Sequence, residues 1–156
     1  MQLFTAPDRI PTISNDPTVF LAGSIDDGAA VDWQSHVIDR LKKEKVTLYN
    51  PRRANWVKNP TKFELNEQIY WELNALDAAD GILFYFAPGS ISPVTMLELG
   101  LYINRPGTVI CCPEEFWRST NIQVTCRKHG KQVFTDLDLA IAEVHTAASV
   151  FKKRNS

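Results

Sequence analysis

The chain has 156 residues, enough for one compact domain with a full core and too few for a second. Hydrophobic residues make up 44% and charged residues 22%, the balance of an ordinary soluble globular protein rather than a disordered or membrane-embedded one. Lys+Arg 17 against Asp+Glu 18 leave a net charge of -1, so the surface has no bulk attraction for a polyphosphate chain and nucleic acid is not an expected partner.

In chain order, Pro7, Pro11 and Pro17 mark residues 1–17 as an extended lead-in. Val19-Phe20-Leu21-Ala22 is a short apolar run that breaks at Gly23-Ser24, the pattern of a buried strand ending in a turn. Trp33, Val37, Ile38 and Leu41 have helical spacing between Val31 and Leu41. Val46 to Tyr49 reads as a second strand stopped by Asn50-Pro51, and Arg52 to Thr61 as a loop. Leu65, Ile69, Leu73 and Leu76 trace one face of a second helix. Gly81 to Phe86 is apolar at nearly every position, as in the covered centre of a parallel sheet.

Ala87 to Ser92 is a loop, and Pro93 opens a third helix to about Ile103. Thr108 to Cys112 is another strand, Pro113 to Gly130 carries no clear pattern, and Gln132 to Phe134 suits a short strand. Asp136 caps a last helix through Leu139, Ile141, Val144 and Val150, and residues 152–156 form a basic tail. Strands alternating with helices predict a single α/β domain over residues 1–156. The expected architecture is a three-layer flavodoxin- or Rossmann-like sandwich with a mainly parallel sheet of about five strands. Ligands in such sheets bind beyond the carboxyl ends of the strands.

Cys111 and Cys112 are adjacent and would face opposite sides of a strand; Cys126 is left over, and no Cys-x-x-Cys occurs. That pattern is expected of a reducing compartment. His36, His129 and His145 lack ligand spacing, so no metal site is expected. Neither a glycine-rich dinucleotide fingerprint nor a P-loop occurs, and no cofactor is expected. Met1 to Ser14 does not have the pattern of a secretory signal, and no apolar run approaches membrane-spanning length. The chain is expected to be soluble and cytoplasmic, without a membrane partner.

Chemistry concentrates in Ser92-Pro93-Val94-Thr95-Met96-Leu97-Glu98-Leu99-Gly100. Ser92 as N-cap and Pro93 at the first position start the helix. Val94, Leu97 and Leu101 form its apolar stripe with Glu98 at the edge, and Met96, Leu99 and Ile103 extend apolar cover to the other sides. A carboxylate there is costly unless a dipole, a hydrogen bond or a ligand compensates it. A salt-bridged Glu is the bland alternative. Position favours chemistry, because Glu98 lies near a helix start at the carboxyl edge of a central strand.

Gln68 and Glu72 sit one turn apart on the preceding helix, where Glu72 alone reads as solvated. Trp71 points away from Ile69, which suits a subunit contact or an aromatic wall against a ligand. Gly23 and Ser24 let a ligand approach the backbone closely. Arg52 or Arg53 is able to meet a phosphate, a sugar hydroxyl or a buried carboxylate, with a solvated pair equally compatible. Asn55 and Trp56 suit the edge and face of a base.

Together these segments resemble the nucleoside 2-deoxyribosyltransferase family, particularly its deoxyribosyltransferase-like branch. The matching residues are Phe20 to Ile25, Asp32-Trp33-Gln34, Asn50-Pro51-Arg52-Arg53, Gln68 with Trp71-Glu72, Ala79-Asp80, Ser92 to Thr95 and Glu98-Leu99-Gly100, continued by Phe116-Trp117-Arg118 and Asn121. The resemblance implies that Glu98 attacks C1′ of the deoxyribose. It implies that Glu72 assists the departing base, and that Asn121 reaches the sugar bound by a neighbouring subunit in a homo-oligomer. Phe20 stands where the family often has a tyrosine that orients the nucleophile, and Ser92 where an aspartate is often found. Glu98 would then be held by other means, and the base recognised differently.

The expected substrates are a deoxynucleoside and a free nucleobase, with Phe20, Gly23, Ser24, Asn55, Trp56, Gln68, Ser92 and Asn121 as the expected substrate-binding residues. The activity implied is base exchange through a covalent deoxyribosyl-glutamate. Two alternatives stay open: hydrolysis of deoxynucleosides or their 5′-monophosphates, favoured by Arg52, Arg53 or Arg118 near the 5′ position, and a nucleotide-binding module without catalysis.

Overall fold

A computed structural model describes residues 1–25, 30–54 and 59–155, the side chain of Asn155 excepted. Its strands are β1 (Gln2–Thr5), β2 (Thr18–Gly23), β3 (Thr47–Asn50), β4 (Gly81–Tyr85), β5 (Thr108–Cys111) and β6 (Val133–Phe134). Its helices are α1 (Trp33–Leu41), α2 (Lys62–Ala78), α3 (Pro93–Tyr102), α4 (Ser119–Lys128) and α5 (Leu137–Asn155). The strands form one sheet in the order β1-β3-β2-β4-β5-β6, every pairing parallel. Five of them have the flavodoxin-like order expected from the sequence. The sixth, β1, pairs with the edge of β3 and lies inside the segment expected to be an extended lead-in.

Alternation along the strands divides the core into two layers. Phe20, Ala22, Ile82, Phe84, Ile110 and Cys112 face α2, α3 and α4. Val19, Leu21, Leu83, Val109 and Cys111 face α1 and α5. The adjacent thiols of Cys111 and Cys112 thus enter opposite layers, and both are free and buried, as is Cys126. Among the described residues no helix is long and apolar enough to cross a membrane.

Three of the helices, α1, α2 and α5, start where a side chain satisfies an exposed amide. Asp32 accepts from the Ser35 amide at the head of α1, and Asp136 from the Leu139 amide at the head of α5. Thr61 and Glu64 form a reciprocal capping box on α2. At the far end of α2 the Arg105 guanidinium donates to the carbonyls of Leu76, Asp77 and Ala79, groups left over by the end of the helix.

The two central strands are pinned at their amino ends. Asp80 Oδ2 accepts from the Thr18 amide and hydroxyl, both at 2.9 Å, and the Asp80 amide donates to Thr18 Oγ1 at 2.8 Å. That lock fixes the register of β2 against β4 and hence the relative heights of the loops at their carboxyl ends. Chain direction across the sheet reverses between these strands, since β3 lies on one side of β2 and β4 on the other. The crevice outside their carboxyl ends is where sheets of this kind take ligands.

The helix faces are a correction to the sequence reading. On α3 the residues turned inward are Thr95, Glu98 and Leu99, while Val94, Leu97 and Leu101 are 57%, 66% and 65% exposed. On α2 the buried set is Gln68, Trp71, Ala75 and Leu76, and Leu65 and Ile69 face outward. Both helices place polar residues on the sheet side and leave an apolar stripe outside, the inverse of the usual pattern. Segment 113–130, without a clear pattern in the sequence, contains α4, whose buried contacts are only Ile122 and Cys126.

Candidate active site

The loops after β2 and β4 bring three hydroxyls together at the crevice. Ser24 follows β2, Ser90 and Ser92 precede α3, and all three are buried. Ser24 Oγ lies 2.7 Å from Ser90 Oγ and shares a very short hydrogen bond with Ser92 Oγ; Ser90 and Ser92 are 2.8 Å apart. Ser92 occupies the N-cap position as expected, yet its side chain makes no cap bond. Its backbone is left-handed at φ 50, a conformation that costs a non-glycine residue about 1–2 kcal/mol. The hydroxyl bonds to Ser24 and Ser90 help to hold that turn.

Gly23 has a packing reason for its missing side chain. A Cβ there would stand 2.5 Å from Trp33 Cζ2 and 2.6 Å from the Tyr85 carbonyl oxygen. The space is therefore filled by an indole, whose Nε1 donates to the Ser24 carbonyl at 3.1 Å. Phe20, placed at the substrate by the sequence reading, is closed inside the core with its ring 6.4 Å from that of Trp71. Trp71 is also core, 9% exposed, and donates to the Asp8 carbonyl at 2.7 Å. It is thus held within its own chain and is not a free subunit contact.

Glu98 and Glu72 come together from α3 and α2. Tyr102 donates to Asp77 Oδ1 at 2.7 Å, four residues beyond Glu98 and five beyond Glu72. That bond couples the two helices about one turn below the carboxylates. Glu98 is 7% exposed, and among the described residues no donor bonds to its carboxylate. Burial, then the charge of Glu72, pushes its carboxyl up to about 8. Glu72 is raised too, by burial first, while the hydrogen bond from Gln68 and the charge of Arg53 pull it back. The bland reading of Glu72 as a solvated helical carboxylate therefore does not hold.

Gln68, expected at the substrate, is committed to the protein. Its amide nitrogen donates to the Pro51 carbonyl at 2.9 Å and to Glu72 Oε1 at 2.8 Å, and its oxygen accepts a very short bond from Arg53 Nε. Arg52 reaches the carbonyls of Ala30 at 3.0 Å and Val31 at 3.3 Å and lies 3.9 Å from Asp32 Oδ1. It thus ties the segment before α1 to the loop after β3. Arg118 stacks over the Trp117 ring, 4.4 Å from its centroid. Asn121 is exposed on α4 and makes no hydrogen bond among the described residues. Asn55 and Trp56, expected at the base, lie outside the described residues.

The sequence reading treated Arg53 as one of an interchangeable pair and gave Ser90 no role. The signal for Arg53 was its place two residues after a strand-ending Pro51, level with Gln68 on the neighbouring helix. A family model described as nucleoside 2-deoxyribosyltransferase like matches residues 16–116, more than half of the chain and a span that includes β2, α2, β4 and α3. A search of curated proteins returns no match.

Glu98 weakens the fold in a way that pH exposes. Folded, its carboxyl keeps a proton up to about 8; unfolded, it releases it near the ordinary 4.5. Between those values the unfolded chain binds fewer protons, so stability falls as pH rises through that window. Glu98→Gln removes the dependence. Its stability relative to the parent, and with it its relative Tm, should rise between about pH 5 and pH 8, by on the order of a few kcal/mol of unfolding free energy. Thermal melts at the two pH values check this, and an unchanged gap between variant and parent contradicts it.

Proposed function

Because the chain belongs to the nucleoside 2-deoxyribosyltransferase-like family, we propose that it exchanges the nucleobase of 2′-deoxyribonucleosides, with Glu98 as nucleophile and Glu72 as acid and base. The observation that carries this reading is the pair of desolvated carboxylates on adjacent helices at the switch point of the sheet. Retaining transfer at a glycosidic carbon needs a carboxylate nucleophile and a second carboxyl that first gives and then takes a proton.

In the first half, Glu72 protonates the departing base nitrogen while the C1′–N bond breaks. A Glu98 oxygen then closes on C1′ from the opposite face. In the second half, the incoming base attacks C1′ and gives its proton to Glu72, and Glu98 leaves. Two inversions restore the configuration. Without a donor on its carboxylate, Glu98 is poorly solvated in the ground state. The oxocarbenium character of the sugar supplies positive charge beside it only in the transition state, where stabilisation accelerates the reaction.

Ser24, Ser90 and Ser92 supply hydroxyls for the substrate at the N-terminal end of α3. The same cluster favours a second reading, in which a 5′-monophosphate binds there and water replaces the second base. Incubation with deoxyinosine or thymidine plus free adenine distinguishes the readings. New deoxyadenosine is expected. Free base without a new nucleoside supports hydrolysis, and no change with nucleosides or monophosphates excludes both and leaves a binding module.

We further propose that the working form is a homo-oligomer whose contact uses the outward stripe of Val94, Leu97 and Leu101. These residues lie on the helix that carries Glu98, and neighbouring α2 likewise exposes Phe63 and Tyr70. A second copy is the occupant that suits an apolar face so close to a site whose Asn121 side chain has no hydrogen-bond partner among the described residues. Light scattering is expected to give more than one chain per particle, and Leu97→Glu to reduce it to monomer. A monomeric parent chain at micromolar concentration contradicts this assembly.

A further inference from the structure

An amide side chain offers two N–H donors and one carbonyl, and all three features of Gln68 are in use. The nitrogen meets the Pro51 carbonyl and Glu72, and the oxygen meets the Arg53 guanidinium. Reversing the amide would set N–H groups against a guanidinium and an oxygen against two acceptors, so a single orientation is fixed. Glu72 therefore receives a donor that is itself polarised by a cation.

Arg53 comes from the loop after β3, half-buried, and its Nη2 is buried with no hydrogen-bond partner among the described residues. The charge of the guanidinium held there acts on two carboxylates of α2, Glu64 at the helix start and sheltered Glu72 beyond Gln68. The charge acting on Glu72 is Arg53 from that loop; the charge acting on Glu98 is Glu72 from α2. The carboxylates are similarly sheltered, and what separates them is the arm of Arg53 and Gln68, which serves Glu72 alone.

We infer that Arg53, acting through Gln68, is a positioning residue that draws the negative charge of the carboxylate pair onto Glu72 and so makes Glu72 the group that yields its proton to the leaving base. The inference rests on the base-transfer reading above. It also follows the charge through the step. Before cleavage the charge lies on Glu98 and the proton on Glu72. As the C1′–N bond breaks, its electron pair goes to the base nitrogen, which takes the proton from Glu72. A Glu98 oxygen forms the ester bond to C1′, and the negative charge ends on Glu72, beside the arm that stabilises it. In the empty site the same preference leaves the resting proton on Glu98. That proton crosses to Glu72 before attack.

Carbon-13 NMR titration of the glutamate carboxyls in the full chain tests this without relying on turnover, with the two resonances assigned by Glu72→Gln and Glu98→Gln. Arg53→Met and Gln68→Leu should each move the Glu72 titration upward. Both should also slow base release at pH 7 by about tenfold or more, since general acid catalysis is worth about 10²–10⁴. Arg53→Lys keeps the charge without the fixed planar donor and should recover part of the titration shift. A Glu72 titration unmoved in folded Arg53→Met and Gln68→Leu overturns the inference, whatever happens to rate. A shifted Glu72 in a chain that releases no base from any deoxynucleoside upholds the electrostatic arm and overturns the base-transfer reading instead.

Discussion

The site depends on one uncompensated group, the carboxyl of Glu98, on the inward face of α3 and largely buried, with no donor against it among the described residues. A buried carboxyl in that condition destabilises the folded chain as soon as it ionises. Much of the surrounding structure has the effect of holding it there. The Thr18–Asp80 lock sets β2 against β4, the serine cluster helps to hold the left-handed turn at Ser92, and Tyr102 ties α3 to α2 through Asp77. None of these contacts touches the carboxyl. Each limits how far α3 can rotate or slide to relieve it.

The second carboxyl makes the first one useful. Glu72 shares the desolvated setting but has Gln68 and the charge of Arg53 on its side, so the pair is asymmetric before any substrate arrives. Two groups of the same chemical type are thereby given different acidities by their surroundings, the difference that the proposed division into acid and nucleophile requires. The instability of Glu98 and its proposed reactivity then have a single origin. On that reading the chain sits below its stability optimum at the residue proposed to react.

The strand and helix alternation was legible in the sequence, and with it the flavodoxin-like order and the crevice at the ends of β2 and β4. The helix starts at Thr61 and Asp136 follow from local capping chemistry. What misled was the inner face of α2 and α3. Apolar periodicity assigns the stripe of Leu65, Ile69, Val94, Leu97 and Leu101 to the core, yet these helices turn Gln68, Thr95 and Glu98 inward. A site helix that buries polar groups inverts the pattern on which such reading depends. Edge strand β1 and helix α4 escaped for a different reason: each buries too few side chains to leave a periodic signature. The role of Gln68 was not legible at all, since all three of its bonds depend on the tertiary fold that brings α2 against the loop after β3.

The central claim is that Glu98 carries the sugar between bases. Intact-mass measurement of the chain, quenched after mixing with a deoxynucleoside in the absence of a second base, tests it most directly. The account predicts a gain of one deoxyribosyl unit, mapped by peptide fragmentation to Glu98 and discharged when free base is added. Turnover without any adduct, or with an adduct on another residue, would contradict it.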